Sequence, residues 1–370
     1  MDTLQVHGFL SQAWVVSEGN DFFASSSEDN GSFKYREMGV NASLRPQRDI
    51  LVAAQVLSRE LGDYADDATP VLDYGIVDYQ MISSDERRLG LQAGRFKNPF
   101  GFYNQTRDIA FTRPSILLPQ SLYFERTRSL ALAADGVAVY GEERLGSGVL
   151  RAQLGAGIPQ TDDDLVDSLG LGRDPGELDG EASFIGQILY EHDGGRIIAA
   201  LSTANVNAHF DSSLGGPGDA DFHFQPWILS LQYNEEHWSL TTEYALRSLS
   251  LQGFDNQRRD FDFTGESWYL QYTRRFLDDW QWLLRYDVLT NDRKDRWGER
   301  FESAGYGPAY SRYAKDWTTG LQWRVSPRVL VAAEYHLVEG TGWLPLINGE
   351  REPDRDKYWS LWLMQASFRF

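Results

Sequence analysis

Between Arg95 and Arg128 runs the stretch RFKNPFGFYNQTRDIAFTRPSILLPQSLYFERTR, in which Arg95, Lys97, Arg107, Arg113, Arg126 and Arg128 stand against two acids, Asp108 and Glu125. A guanidinium keeps its charge across the accessible pH range and offers a planar fork of donors. Several brought together bind carboxylate or phosphate in two-point fashion. The chemistry on offer is recognition of anions rather than bond making. The plain alternative is that single arginines pair with carboxylates and only fasten the segment; the expectation is that at least two of the cations face open water.

A second charged set is spread over the chain: Arg151, Arg247, Arg285, Arg324 and Arg369 against Glu243, Asp287 and Glu334. Opposed rows of these would create a transverse field, while neighbouring ones would be ordinary ion pairs. Acids also crowd one polar stretch, with Asp162, Asp163, Asp164, Asp167, Asp174, Glu177, Asp179 and Glu181. Their spacing matches no EF-hand, and a solvated loop is the plain reading. Calcium or magnesium bridging them to lipid phosphates is the only cofactor the pattern admits. The set His209, Asp211, Asp219, Asp221 and His223 reads the same way, as a Gly-rich loop before a metal site. No histidine has a nucleophile motif beside it, and the absence of Cys removes thiolate chemistry. The expectation is a protein without catalysis.

The elements that must position these residues are strands. From Tyr358 to Phe370 one alternating set reads Tyr, Ser, Trp, Met, Ala, Phe, Phe and the other Trp, Leu, Leu, Gln, Ser, Arg. The same period of two recurs around Trp227–Asn234, Trp238–Arg247, Trp280–Val288, Trp317–Val325 and Val329–Leu337. Very short connections, as at Asn234–His237, Phe276–Asp279 and Val325–Arg328, alternate with long polar ones. About seven of the first and eight of the second imply about sixteen strands.

No apolar run is long enough for a spanning helix. A sheet in hydrocarbon must instead close on itself so that every backbone amide is paired. Tryptophan and tyrosine at strand ends then sit at headgroup depth, which accounts for an aromatic content of 14% in so polar a chain. The expected fold is therefore all-β, one transmembrane antiparallel up-and-down barrel over residues 1–370, with short periplasmic turns and long extracellular loops. The loop at about 97–130 is the longest, and loops of that length inside a compact architecture are usually functional. A net charge of −19 excludes a nucleic-acid partner.

The terminal strand YWSLWLMQASFRF, ending in Phe370, resembles the assembly signal of Gram-negative porins, and the alternation over the whole chain resembles that superfamily. The stretch Arg95–Arg128 resembles the third loop of porins, folded into the lumen, with a weaker likeness to the phosphate-selective porin O and P group. Only five lysines occur, Lys34, Lys97, Lys294, Lys315 and Lys357, so the lysine cluster of that group is not matched. The resemblance implies an outer-membrane location, lipid and lipopolysaccharide as surroundings, and a homotrimer. It implies passive diffusion of small hydrophilic solutes through a water-filled pore, narrowed by an Arg-rich constriction with a weak anion preference. The alternatives are a substrate-specific channel for phosphate or carboxylates, and a barrel enzyme or structural envelope protein with its lumen plugged by the third loop.

Overall fold

A computed structural model describes residues 4–22, 25–27, 30–62, 68–125, 127–344 and 354–370. Its strands are β1 (Gln5–Glu18), β2 (Ser32–Gln47), β3 (Ile50–Leu61), β4 (Val71–Ser83), β5 (Arg87–Lys97), β6 (Ala133–Leu145), β7 (Gly148–Pro159), β8 (Gly176–Gly180), β9 (Ser183–His192), β10 (Ile197–Ser212), β11 (Ala220–Asn234), β12 (Trp238–Gln252), β13 (Phe261–Phe276), β14 (Trp280–Thr290), β15 (Tyr313–Ser326), β16 (Val329–Glu339) and β17 (Tyr358–Arg369). Each pairs antiparallel with its neighbours, and β1 pairs with β17 from Phe9↔Arg369 to Glu18↔Ser360. The sheet is closed, leaving no edge. The short β8 and the longer β9 both pair with β10, so they are two pieces of one barrel strand interrupted at Glu181 and Ala182. The barrel therefore has sixteen strands and one break.

Alternation decides which face each residue takes. Along β17, Trp359, Leu361, Leu363, Gln365 and Ser367 are buried inside while Trp362, Met364 and Phe368 are exposed outside. The outer rings fall into two rows. The periplasmic row includes Tyr233, Trp238, Tyr272 and Trp282, with successive ring centroids 5.5, 6.0 and 6.0 Å apart. The extracellular row includes Trp268, Tyr286 and Trp317, at 5.7 and 4.5 Å, and the pair Tyr335 and Trp362 at 4.3 Å. Rings of this kind mark the two interfaces of the bilayer. On β2–β7 the outward residues between the charged strand ends, where Arg36 meets Glu60, Arg95 meets Asp135 and Arg87 meets Glu143, are aliphatic or small, such as Val40, Val52, Val56, Val77, Leu91, Val137 and Val139, apart from Phe33 and Tyr79.

The Gly-rich loop expected to hold His209, Asp211, Asp219, Asp221 and His223 is short, because β10 and β11 continue to Ser212 and from Ala220. Asn207, His209, Asp221 and His223 therefore lie on strands that rise above the extracellular row. Their outward faces are polar because they stand in water, and this masked their strand character in the sequence.

The long loops turn inward and fill the extracellular half. Phe22, Ile116, Leu117, Trp343 and Leu344 form one core with Val15, Tyr35, Val338, Leu361 and Leu363 of the wall. Leu165 of a short helix, α1 (Asp163–Ser168), joins Leu171, Phe210, Phe222 and Phe254 in a second. A third joins Phe100, Leu118, Leu122 and Tyr123 to Ile228, Ala245 and Tyr269.

Candidate functional site

The third loop, residues 98–132, leaves the top of β5, crosses the lumen and returns through a single helical turn, α2 (Arg128–Leu132), to β6. Its first half docks on β9–β12. The Gly101 N–H donates to Ser202 Oγ at 3.1 Å, and Gln187 Nε2 donates to the Gly101 carbonyl at 2.9 Å. Glu243, buried on β12, accepts from the Phe102 N–H at 3.0 Å, Tyr123 Oη at 2.6 Å, Tyr269 Oη at 2.8 Å and Ser230 Oγ at 2.5 Å. Gly101 has a φ of +61°, and a Cβ there would come within 2.2 Å of Tyr123 Oη and 2.8 Å of Glu243 Oε1. Glycine is required because the backbone turns left-handed and lies directly against the carboxylate.

The loop's middle docks on β14–β16. Glu334 accepts from the backbone N–H groups of both Ile116 and Leu117. Arg285 donates to Ser115 Oγ at 3.1 Å and to the Leu117 carbonyl at 3.2 Å, and the Ser121 N–H donates to Asp287 at 3.2 Å. Glu243, Arg285, Asp287 and Glu334 thus line the lumen as their alternation implies, but as anchors of the loop. His336 sits two residues above Glu334 on β16, fully buried, with Nδ1 2.8 Å from Asp316.

The loop's own charges meet the wall at β2–β4. Glu37 of β2 takes Arg59 Nε at 3.0 Å and Arg113 Nη2 at 3.1 Å, and Glu125 takes Arg59 at 2.6 Å and Arg107 at 3.0 Å. Lys97 bridges Asp73 and Asp108, each at 2.5 Å, and Arg128 pairs with Asp108. Arg107, Arg113 and Arg128 are 1%, 4% and 5% exposed. Five cations and four carboxylates are gathered into one buried network. The expectation that the loop's arginines face open water is not what the structure displays: the wall supplies counter-charges the loop lacks.

Arg95 shares the outward face of β5 with Leu91 and pairs with Asp135 of β6 at 2.7 and 2.8 Å, so it lies outside the lumen. Arg126 lies outside the described residues. Arg247 points inward, its guanidinium 4.8 Å over the Phe124 ring and 2.8 Å from Ser267 Oγ. Glu37, Arg59 and Asp73 were missed in the sequence. For Arg59 the available signal was a single charge closing an inward row of Leu51, Ala53, Gln55 and Leu57; the rows of Glu37 and Asp73 are polar and carried no such signal.

Below the loop the lumen opens into a periplasmic vestibule. Arg151 there pairs with Glu142 at 2.8 Å and Glu191 at 2.6 Å. Arg45, Arg144 and Arg324 occupy inward positions of β2, β6 and β15, and Arg369 lies 4.3 Å over Phe111 of the loop. Among the described residues, these four have no carboxylate within ion-pair distance. Of the acidic outer loop, Asp162 caps α1 by accepting from Leu165 N–H at 2.9 Å. Asp174 pairs with Arg259, whose hydrogen bonds hold its carboxyl below the usual aspartate range. No group of three metal-ligating side chains occurs among the described residues.

No protein-family model matches the chain, and no curated protein does. Solved structures match over its whole length. The anion-selective porin of Comamonas acidovorans superposes with a TM-score of 0.57 at 12% identity, covering 100% of both chains. The outer membrane channel DcaP of Acinetobacter baumannii gives 0.60 at 10% identity, covering 100% of this chain and 97% of its own. OmpT of Vibrio cholerae in its trimer form gives 0.57 at 11%, covering 100% and 99%. Closed barrel, inward third loop and full-length superposition together define a β-barrel of the porin fold. At these identities the likeness is one of fold.

Proposed function

We propose that this protein is a passive outer-membrane channel for small hydrophilic solutes, narrow at the third loop and weakly selective for anions. The observation that carries this reading is the division of its arginines. Arg107, Arg113 and Arg128 of the loop are neutralised in buried pairs, whereas Arg45, Arg144, Arg324 and Arg369 have no carboxylate within ion-pair distance among the described residues. A lumen lined by fixed charge of one sign concentrates the opposite ion. The anion preference therefore rests on the vestibule wall and not on the loop's own cations.

Inward side chains at loop level are buried on strand after strand, among them Ser11, Glu37, Asp73, Phe96, Ser202, Glu243, Arg285, Thr318 and Leu363. That burial favours a second reading, a substrate-specific anion channel in which the loop shifts to admit its solute. The outward face of β2–β7, without the two rows of rings, is the surface we assign to a homotrimer, since an apolar face covered by protein needs no headgroup anchors.

The test is the zero-current potential of the reconstituted protein under a KCl gradient. The first reading expects a small ohmic conductance that prefers chloride, with the preference lost in R45Q/R144Q/R324Q. Saturable conductance blocked by one anion supports the second. Potassium selectivity refutes the anion assignment, and an absence of conductance refutes both.

A further inference from the structure

His336 on β16 faces inward at the level of the third loop, 0% exposed, and both of its ring nitrogens meet carboxylates. Nδ1 lies 2.8 Å from Asp316 Oδ2 of β15, and Nε2 lies 3.4 Å from Glu334 Oε2. An ionised carboxylate only accepts, so a nitrogen that faces one must carry a hydrogen. Thr318 does not relieve Nδ1. Its hydroxyl, 3.2 Å away, donates to Asp316 at 3.0 Å and accepts from Arg285 Nη2 at 3.2 Å. Two donors on one imidazole make it an imidazolium. The charges around the ring lead to the same state. Two arginines, Arg285 of β14 and Arg247, which acts on Asp287 from β12, stand against the three carboxylates of Asp287, Asp316 and Glu334. Asp287 and Asp316 are directly paired across β14 and β15, and Oδ1 of each is buried without a hydrogen-bond partner. β17 offers His336 only Leu361, and the loop segment packed on this wall, Ser115–Ser121, has no charged residue. A protonated His336 is the third cation, and it spares the wall an uncompensated buried charge.

Glu334 Oε2 is shared between this ring and the third loop. It also accepts the Leu117 N–H at 3.1 Å, while Oε1 accepts that of Ile116. We propose that His336 is a positioning residue, an imidazolium that bridges Asp316 to Glu334 and so aims the Glu334 carboxylate at the loop backbone. Loss of its proton turns the bridge into a repulsion. A neutral ring that keeps its Nδ1 hydrogen on Asp316 presents the Nε2 lone pair to Glu334 Oε2, and Glu334 leaves the two N–H groups. The latch holds while the proton is bound and opens as rising pH removes it. The release is confined to the Ile116 and Leu117 amides, because Arg285 still donates to the Leu117 carbonyl and Asp287 still accepts from Ser121. The loop concerned is the one that narrows the channel in the proposed function. The latch goes beyond that reading by making the hold on this loop depend on one proton.

The experiment pairs two readings on the full-length protein in detergent, titrated from pH 6 upward until the His336 ring is neutral, with heat-modifiable gel migration reporting that each sample is folded. Histidine-selective carbon-13 labelling follows the six rings by NMR, the His336 resonance being the one absent from H336N. Hydrogen exchange, corrected for the intrinsic pH dependence of amide exchange, follows the peptide spanning residues 112–120. The ring is expected to be an imidazolium wherever that peptide is fully protected. As the ring loses its proton, protection is expected to fall about tenfold or more at the same midpoint, the loss of a charge-assisted bond. D316N is expected to move both midpoints to lower pH together, and it carries the test if H336N does not fold. Folded H336N is expected to show low protection at every pH and no step, and H237N, in an exposed periplasmic turn, to change neither reading. A neutral His336 ring in the protected state overturns the proposal. So does a ring that loses its proton with protection unmoved, or a step that persists in H336N. Neither reading needs current, so a protein that conducts nothing would refute the channel while the latch stands or falls on its own result.

Discussion

Glu37→Gln isolates the balance on which the third loop depends. The Glu37 carboxylate is 0% exposed and bonds Arg59 and Arg113, with Arg128 at 3.9 Å. Replacing it by an amide keeps the shape but leaves five cations facing three carboxylates. Removing one partner of a buried ion pair costs about 3–5 kcal/mol, because the remaining charge stays desolvated. Docking of the loop on β2 is lost before the barrel, whose strand pairing is untouched. The extra positive charge also acts on passing ions. At about 10 Å through water a unit charge is worth about 0.4 kcal/mol, attractive to chloride and repulsive to potassium. The chloride-to-potassium permeability ratio is expected to rise about fourfold at low salt and less at 0.15 M, where the screening length is about 8 Å. Single-channel recording should show a larger and noisier conductance. Unchanged conductance and reversal potential in a folded variant would refute the view that this network holds the loop and narrows the passage.

Other consequences can be checked separately. Gly101→Ala should release the loop from Glu243, read as faster hydrogen exchange over residues 100–124 with the wall strands still protected, because a left-handed φ and two close oxygens oppose the methyl group. Glu334→Gln should free the Ile116–Leu117 backbone in the same assay and raise conductance, as a charge-accepting bond to two N–H groups contributes about 1.5–3 kcal/mol for each bond. The Asp174–Arg259 tether has a sign fixed by linkage: a carboxyl held below its usual value stabilises above the unfolded pKa and loses that contribution as pH falls through the folded one. Protease nicking of the outer loops should therefore be unchanged from pH 7 to 5 and increase only below about pH 4, whereas D174N should be nicked at every pH. Val137→Lys, on the face assigned to the trimer, should shift crosslinked trimer to monomer without altering the barrel's circular dichroism.

The barrel was legible because its constraint is local. Each strand must show lipid one face, so Trp, Leu and Tyr recur at every second position from Trp227 to Phe370, and the number and order of strands follow from where that pattern stops. Where strands leave the bilayer, as at Asn207–Asp211, the outward face is polar and the pattern vanishes, so the reach of β10 and β11 was hidden. The inward direction of Glu243, Arg285, Asp287 and Glu334 also followed from alternation alone. Their partners did not. Whether the third loop's charges meet water or a carboxylate, and where its backbone docks, depends on residues 24 to 218 positions away, on Glu37, Arg59 and Asp73 to one side and Glu243 and Glu334 to the other. Period two cannot encode that meeting, because it arises only when the sheet closes and opposite walls come within reach of one loop. The chain's own sequence therefore determined a membrane barrel with an inward basic loop. The tertiary structure alone decided that the loop's charge is spent on the wall and that the free arginines lie below it.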